Sequence, residues 1–164
     1  MPNDEASDPA AASAQSRTSV YTVSVEFGDC DPAGIVWFPN FFRWIDAASR
    51  HFFIDCGVPR WAELELAIGV VGTPIVETKA RFLRSASYGD RLEIHTTVAA
   101  WREKSFVQRH RLMRDGELLM ECDEVRVFAA RRKEGGIRAV PIPLSVIEQC
   151  RAGDEDSAAT PRTF

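Results

Sequence analysis

Residues 25–53 read VEFGDCDPAGIVWFPNFFRWIDAASRHFF, and they set two carboxylates, Asp29 and Asp31, between an apolar strand-like run and an aromatic helix-like one. Beyond the Asp-Pro-Ala-Gly turn, Phe41, Trp44, Ile45, Ala48 and Phe52 recur every three or four residues, the spacing of a helical stripe over 39–56. Pro39 in the first turn and Gly57 after the last punctuate that helix as expected. At 100° per residue Phe42, Asp46 and Phe53 share another flank, so an acid sits between two phenylalanines away from the main stripe.

Working outward, SVYTVSVEF over 19–27 is rich in β-branched and aromatic residues and partly alternating, which predicts a strand. Downstream, IVETKARFL, RLEIHTTVAAW, SFVQRHRLMR and LLMECDEVRVFAA read as strands separated by short polar turns, the last three as an antiparallel meander. A short helix, PLSVIEQCR, follows. One early helix and then a run of hairpin-linked strands predict an α+β fold, with a curved antiparallel sheet wrapped around one long central helix.

The 164 residues suit one domain, and 45% hydrophobic with 27% charged residues is ordinary for a water-soluble protein. A formal charge of -4 gives no reason to expect nucleic acid. No run approaches the roughly 18 apolar residues of a membrane span, and Asp4 and Glu5 stand where a secretory signal would be basic, so a cytoplasmic location without membrane association is expected. Cys30, Cys56, Cys122 and Cys150 are scattered, without a CxxC pair or metal-ligand spacing. Cys30 could be a nucleophile or a small buried thiol. Residues 1–18 and 151–164, rich in Ala, Ser, Asp and Pro, are expected to be disordered tails around a domain spanning 19–150.

The strand, acid-bearing turn, helix and meander, together with EFGDCDPAGIVWFPNFFRWIDAASR, resemble the 4-hydroxybenzoyl-CoA thioesterase family of hot-dog-fold proteins. GVVGTPIVE over 69–77, WREKSFVQRH over 101–110 and DEVRVFA over 123–129 extend the resemblance across the body. It implies hydrolysis of an acyl-CoA thioester, with 4-hydroxybenzoyl-CoA as the substrate it points to. It also implies a homotetramer built as a dimer of dimers, active sites at subunit interfaces, and no metal or prosthetic group beyond the CoA of the substrate.

The same resemblance carries roles onto individual residues. Asp31 takes the position of the catalytic carboxylate, as nucleophile or as general base toward water, whereas on the residues alone it reads equally well as a turn cap. The backbone amide of Phe38, where family members can carry Tyr, would polarise the thioester carbonyl. Asp46 aligns with the carboxylate that accepts the 4-hydroxyl of the aryl group; as a plain helix-face acid it would pair with Arg43 or Arg50. Trp61 would line the acyl pocket or pack in the core, and Thr73 would place its hydroxyl near the thioester or simply precede Pro74 in a turn. Arg102, Lys104, Ser105 and Arg138 would meet the phosphates of CoA, with Glu103 making that patch less positive. Two other readings stand beside this one: a short- or medium-chain aliphatic acyl-CoA thioesterase, and a non-catalytic acyl-CoA-binding module.

Overall fold

A computed structural model describes residues 16–151. Its main sheet has five antiparallel strands in the order β1-β4-β5-β6-β3: β1 (Ser19–Ser24), β3 (Ile75–Phe82), β4 (Arg91–Trp101), β5 (Ser105–Arg114) and β6 (Glu117–Val127). The meander β4-β5-β6 is the one read from the sequence. The expected central helix is α1 (Pro39–Asp55), whose apolar stripe of Phe41, Trp44, Ile45, Ala48 and Phe52 is buried on the concave side of the sheet.

Strand alternation explains the packing. On β4 Leu92, Ile94, Thr96 and Val98 point inward, on β5 Phe106, Gln108, His110 and Leu112, and on β6 Met120, Cys122, Glu124, Arg126 and Phe128 just beyond its end. Glu93, Arg109, Arg111, Glu121 and Asp123 take the outward positions and meet water or one another. The inward face is not uniformly apolar. Thr96, Gln108, His110, Glu124 and Arg126 form a polar seam, with one apolar cluster around Ile45 and Leu92 and a second around Phe53 and Phe106.

Two features depart from the sequence reading. Residues 118–130 do not form one strand: the chain breaks at Phe128, and β7 (Ala129–Arg131) joins a second, three-stranded sheet with β2 (Val70–Gly72) and β8 (Ile137–Ala139). A second helix, α2 (Trp61–Ile68), precedes β2; it ends where Gly69, at φ 76°, donates its N–H to Glu65 O at 2.9 Å. With eight residues and only Leu64 buried, its apolar periodicity is too short to register. The last helix, α3 (Leu144–Gln149), lies where PLSVIEQCR was read.

The tails expected at 1–18 and 151–164 fall almost wholly outside the described residues. Within them, Ser16 Oγ and the Arg17 N–H both bond to Cys150 O, which ties the two ends of the described chain together. Strand β3 is the other notable boundary. It pairs with β6 along one edge, the other edge has no strand partner among the described residues, and seven of its eight residues are exposed.

Candidate active site

The acid-bearing turn is a small hairpin built by its own sequence. Cys30 bridges to Val36, the Asp31 N–H donates to Ile35 O at 2.9 Å, and the Gly34 N–H donates to Asp31 O at 2.9 Å. Asp-Pro-Ala-Gly suits this because Asp favours the first turn position, Pro fixes φ at the second, and Gly34 accepts φ 77°. Asp29 is structural: its carboxylate accepts the Glu26 N–H at 2.9 Å and Arg43 Nη2 at 2.9 Å, while its carbonyl accepts the Trp37 N–H and Asn40 Nδ2. Those last two bonds fasten the hairpin to the start of α1.

Asp31 is half-buried. Its Oδ1 accepts the Ala33 N–H at 2.8 Å, and its Oδ2 has no partner among the described residues. The turn-capping role and an available carboxylate oxygen therefore coexist in one side chain. At the helix entrance Asn40 and Phe41 donate their amides to Trp37 O and Phe38 O, and Pro39 has none to give. The Phe38 N–H meets no acceptor among the described residues, at the end of α1 where the helix dipole favours negative charge. Phe38 and Trp37 themselves are 59% and 56% exposed, so this amide and these rings form an open apolar rim.

A second group of residues gathers around a cavity of about 630 Å³ lined by Asp46, Ser49, Arg50, Trp61, Gly72, Thr73, Pro74, Ile75, Arg126 and Ile137. Asp46, Trp61 and Thr73, far apart in sequence, meet here. Trp61 packs edge-on against Phe53 at 5.4 Å and Phe128 at 6.2 Å and also lines the cavity. The Arg50 guanidinium stacks 4.6 Å above its ring. Thr73 is buried, and its carbonyl, rather than its hydroxyl, makes the recorded hydrogen bond, from Arg126 Nη1 at 3.1 Å.

Asp46 needs one correction. Its pairing partner is neither Arg43 nor Arg50 but Arg126, whose Nη2 donates to Asp46 Oδ1 at 2.9 Å. In the single chain its side chain is 67% exposed against 5% for Arg126. Behind Arg126 the seam continues inward. Arg126 Nη2 and Nε reach Glu124 Oε2 at 2.7 and 2.9 Å, His110 Nε2 lies 3.4 Å from the same oxygen, outside hydrogen-bond geometry, and His110 Nδ1 shares a 2.9 Å bond with Thr96 Oγ1.

Burial drives His110 below the ordinary imidazole range, with Glu124 opposing that shift in part. Burial also pushes Glu124 upward, yet His110 and Arg126 outweigh it and leave that carboxyl below its usual range. Burial, seconded by the charge of Glu124, pushes the Cys122 thiol up to about 12, which removes it as a nucleophile at neutral pH.

The residues expected to meet phosphate lie near one end of the sheets. Arg102 and Ser105 close the β4–β5 turn through a 2.8 Å backbone bond, Lys104 O accepts the Phe128 N–H, and Arg138 pairs with Ala130 across β7 and β8. All but Ser105 are exposed, and Glu103 reaches Lys104 Nζ at only 4.0 Å. Arg126 and Glu124 were missed in the sequence. Their signal was present in DEVRVFA, where a charged pair at i, i+2 occupies the inward positions of a buried strand.

The described chain holds the expected catalytic and acyl-pocket residues in two separate groups, Asp31 with Phe38 at the helix entrance and Asp46, Trp61 and Thr73 around the cavity. A profile of the thioesterase-like superfamily matches residues 25–150. The chain is 53% identical over 131 residues to the 4-hydroxybenzoyl-CoA thioesterase of Pseudomonas sp. strain CBS-3, covering 77% of this chain and 92% of that protein. The solved structure of that enzyme superposes with a TM-score of 0.79 at 50% identity over 82% of this chain and 99% of its own, and so does a mutant of it complexed with 4-hydroxybenzoyl-CoA. A gentisyl-coenzyme A thioesterase is 32% identical with a TM-score of 0.69, over 79% of this chain and 99% of its own.

Proposed function

The chain belongs to the thioesterase-like superfamily and is an acyl-CoA thioester hydrolase, and on that premise we propose that it cleaves 4-hydroxybenzoyl-CoA to 4-hydroxybenzoate and coenzyme A. The observation that carries this choice of acyl group is Asp46, whose carboxylate stands at a cavity wall beside Trp61, held through one oxygen by Arg126. A carboxylate in that position accepts a hydrogen bond from a ring hydroxyl and is left unpaired by a ring without one.

Catalysis follows from the other group. Asp31 attacks the thioester carbonyl directly, or deprotonates the water that does, and the oxygen that gains charge is met by the free Phe38 amide at the start of α1. The thiolate of coenzyme A then leaves, and on the direct route water hydrolyses the resulting Asp31 anhydride to release the acid and restore the carboxylate. One such backbone donor is worth roughly 3–4 kcal/mol in a transition state. Thr73 borders the acyl pocket, and Arg102, Lys104, Ser105 and Arg138 hold the nucleotide phosphates. The reaction needs no metal or prosthetic group.

A second copy of the chain brings the two groups together. The exposed β3 edge carries Ile75 and Val76 at 43% and 61% exposure, with Phe38, Phe42 and Phe82 lining an adjoining cavity of about 560 Å³. Edge-to-edge pairing of β3 would satisfy its open backbone groups, cover these rings and desolvate Asp46. Two such dimers form a tetramer that works in the cytoplasm.

The test is thiol release from 4-hydroxybenzoyl-, benzoyl-, phenylacetyl- and butyryl-CoA. The reading expects the hydroxylated ring to lead benzoyl in kcat/KM by at least about tenfold. Butyryl-CoA turning over as fast would replace it with an aliphatic thioesterase, and tight aryl-CoA binding without thiol release would replace it with a binding module.

A further inference from the structure

We propose that Arg126 is a positioning residue for acyl-group selection: it pins Asp46 in the one orientation that discriminates a ring hydroxyl, and Glu124 holds Arg126 in turn. This rests on the substrate reading above and adds the device that makes Asp46 selective.

Three observations support it. First, a carboxylate that is 67% exposed would rotate and stay hydrated unless something fixed it, and its recorded bond is the 2.9 Å one from Arg126 to Oδ1. Oδ2 is left open at the cavity wall. Second, the guanidinium is itself immobile. It is 4% exposed and spends its donors on three segments at once: Nε and Nη2 on Glu124, Nη1 on Thr73 O, and Nη2 on Asp46. With its fork committed to protein acceptors, Arg126 acts on the substrate through Asp46. Third, Glu124 is 1% exposed and pairs its negative charge with Arg126, so the buried cation is balanced and Asp46 is not needed to neutralise it. A lysine would keep the charge but could not span these three acceptors with a rigid planar fork.

The experiment compares kcat and KM for 4-hydroxybenzoyl-CoA and benzoyl-CoA in the wild type, Arg126→Lys, Asp46→Asn and the double variant. Arg126→Lys should cut the kcat/KM preference for the hydroxylated ester about tenfold, the worth of one charge-assisted hydrogen bond, with little loss on benzoyl-CoA. The double variant should be no less selective than Asp46→Asn alone, because both changes act through one carboxylate. A preference within twofold of wild type in Arg126→Lys, or equal losses on both esters, overturns the proposal. Should Arg126→Lys not fold, Glu124→Gln keeps the shape, loosens Arg126 and must lower the preference as well; an unchanged ratio there overturns the proposal equally. A wild-type protein with no preference between the esters defeats the substrate reading itself, a failure visible before any variant is made.

Discussion

The helix entrance and the polar seam treat their charged groups in opposite ways. At the entrance, the Asp31 Oδ2 and the Phe38 N–H have no partners among the described residues, at a surface lined by exposed Trp37 and Phe38. In the seam, Glu124 and Arg126 are almost wholly buried and bonded to each other, and Arg126 goes on to Thr73 and Asp46. On the proposed reading, the difference separates reacting groups from recognising ones. A group that must meet a changing charge is kept free, whereas one that must reject a wrong ring has to be held still.

The contrast breaks most visibly at Asp31. Asp31→Asn keeps the size and turn geometry but removes the charge, so kcat should fall roughly 10³- to 10⁴-fold while substrate affinity, measured by titration, stays within about tenfold. Equal losses in both would make Asp31 a binding group. In the seam the leading effect is on stability instead: Glu124→Ala leaves Arg126 buried with its remaining carboxylate exposed, and denaturant melts should show a loss of about 3–5 kcal/mol. Asp46→Ala should fold normally yet reduce the preference for a hydroxylated ring about tenfold; an unaltered ratio would remove Asp46 from recognition.

Acid sharpens the same contrast. His110 titrates below its unfolded value near 6.5, so the unfolded chain binds more protons and stability falls as pH drops through that value. Glu124, also held below its unfolded value of about 4.5, adds a second loss as pH falls further toward its folded value. Thermal melts from pH 8 to 4 should therefore fall with acid, and His110→Gln should flatten the part near pH 6. Asp29→Ala is the smallest effect, about 1 kcal/mol in the same melts, because it removes a surface-loop cap and its bond to the exposed Arg43.

Much of this was legible along the chain because it is local. The stripe of Phe41, Trp44, Ile45, Ala48 and Phe52, the strand alternation of β4 and β5, and the Asp-Pro-Ala-Gly turn depend on near neighbours, and all three appear where the residues placed them. The break at Phe128 was not legible, since residues 118–130 keep a strand-like composition and the switch to the smaller sheet depends on pairing with Val70 and Ala139.

The partner of Asp46 lay beyond local reading. Arg43 and Arg50 are its helical neighbours, so spacing favours them, but Arg43 is taken by Asp29 and Arg50 by the face of Trp61. Arg126 arrives from 80 positions away, on a strand whose inward charges look misplaced until Glu124 and Asp46 are seen around them. Periodicity and turn chemistry are written into adjacent residues and so belong to the sequence. Which charge faces which across the core depends on how helix and sheet cross, and only the folded chain decides that.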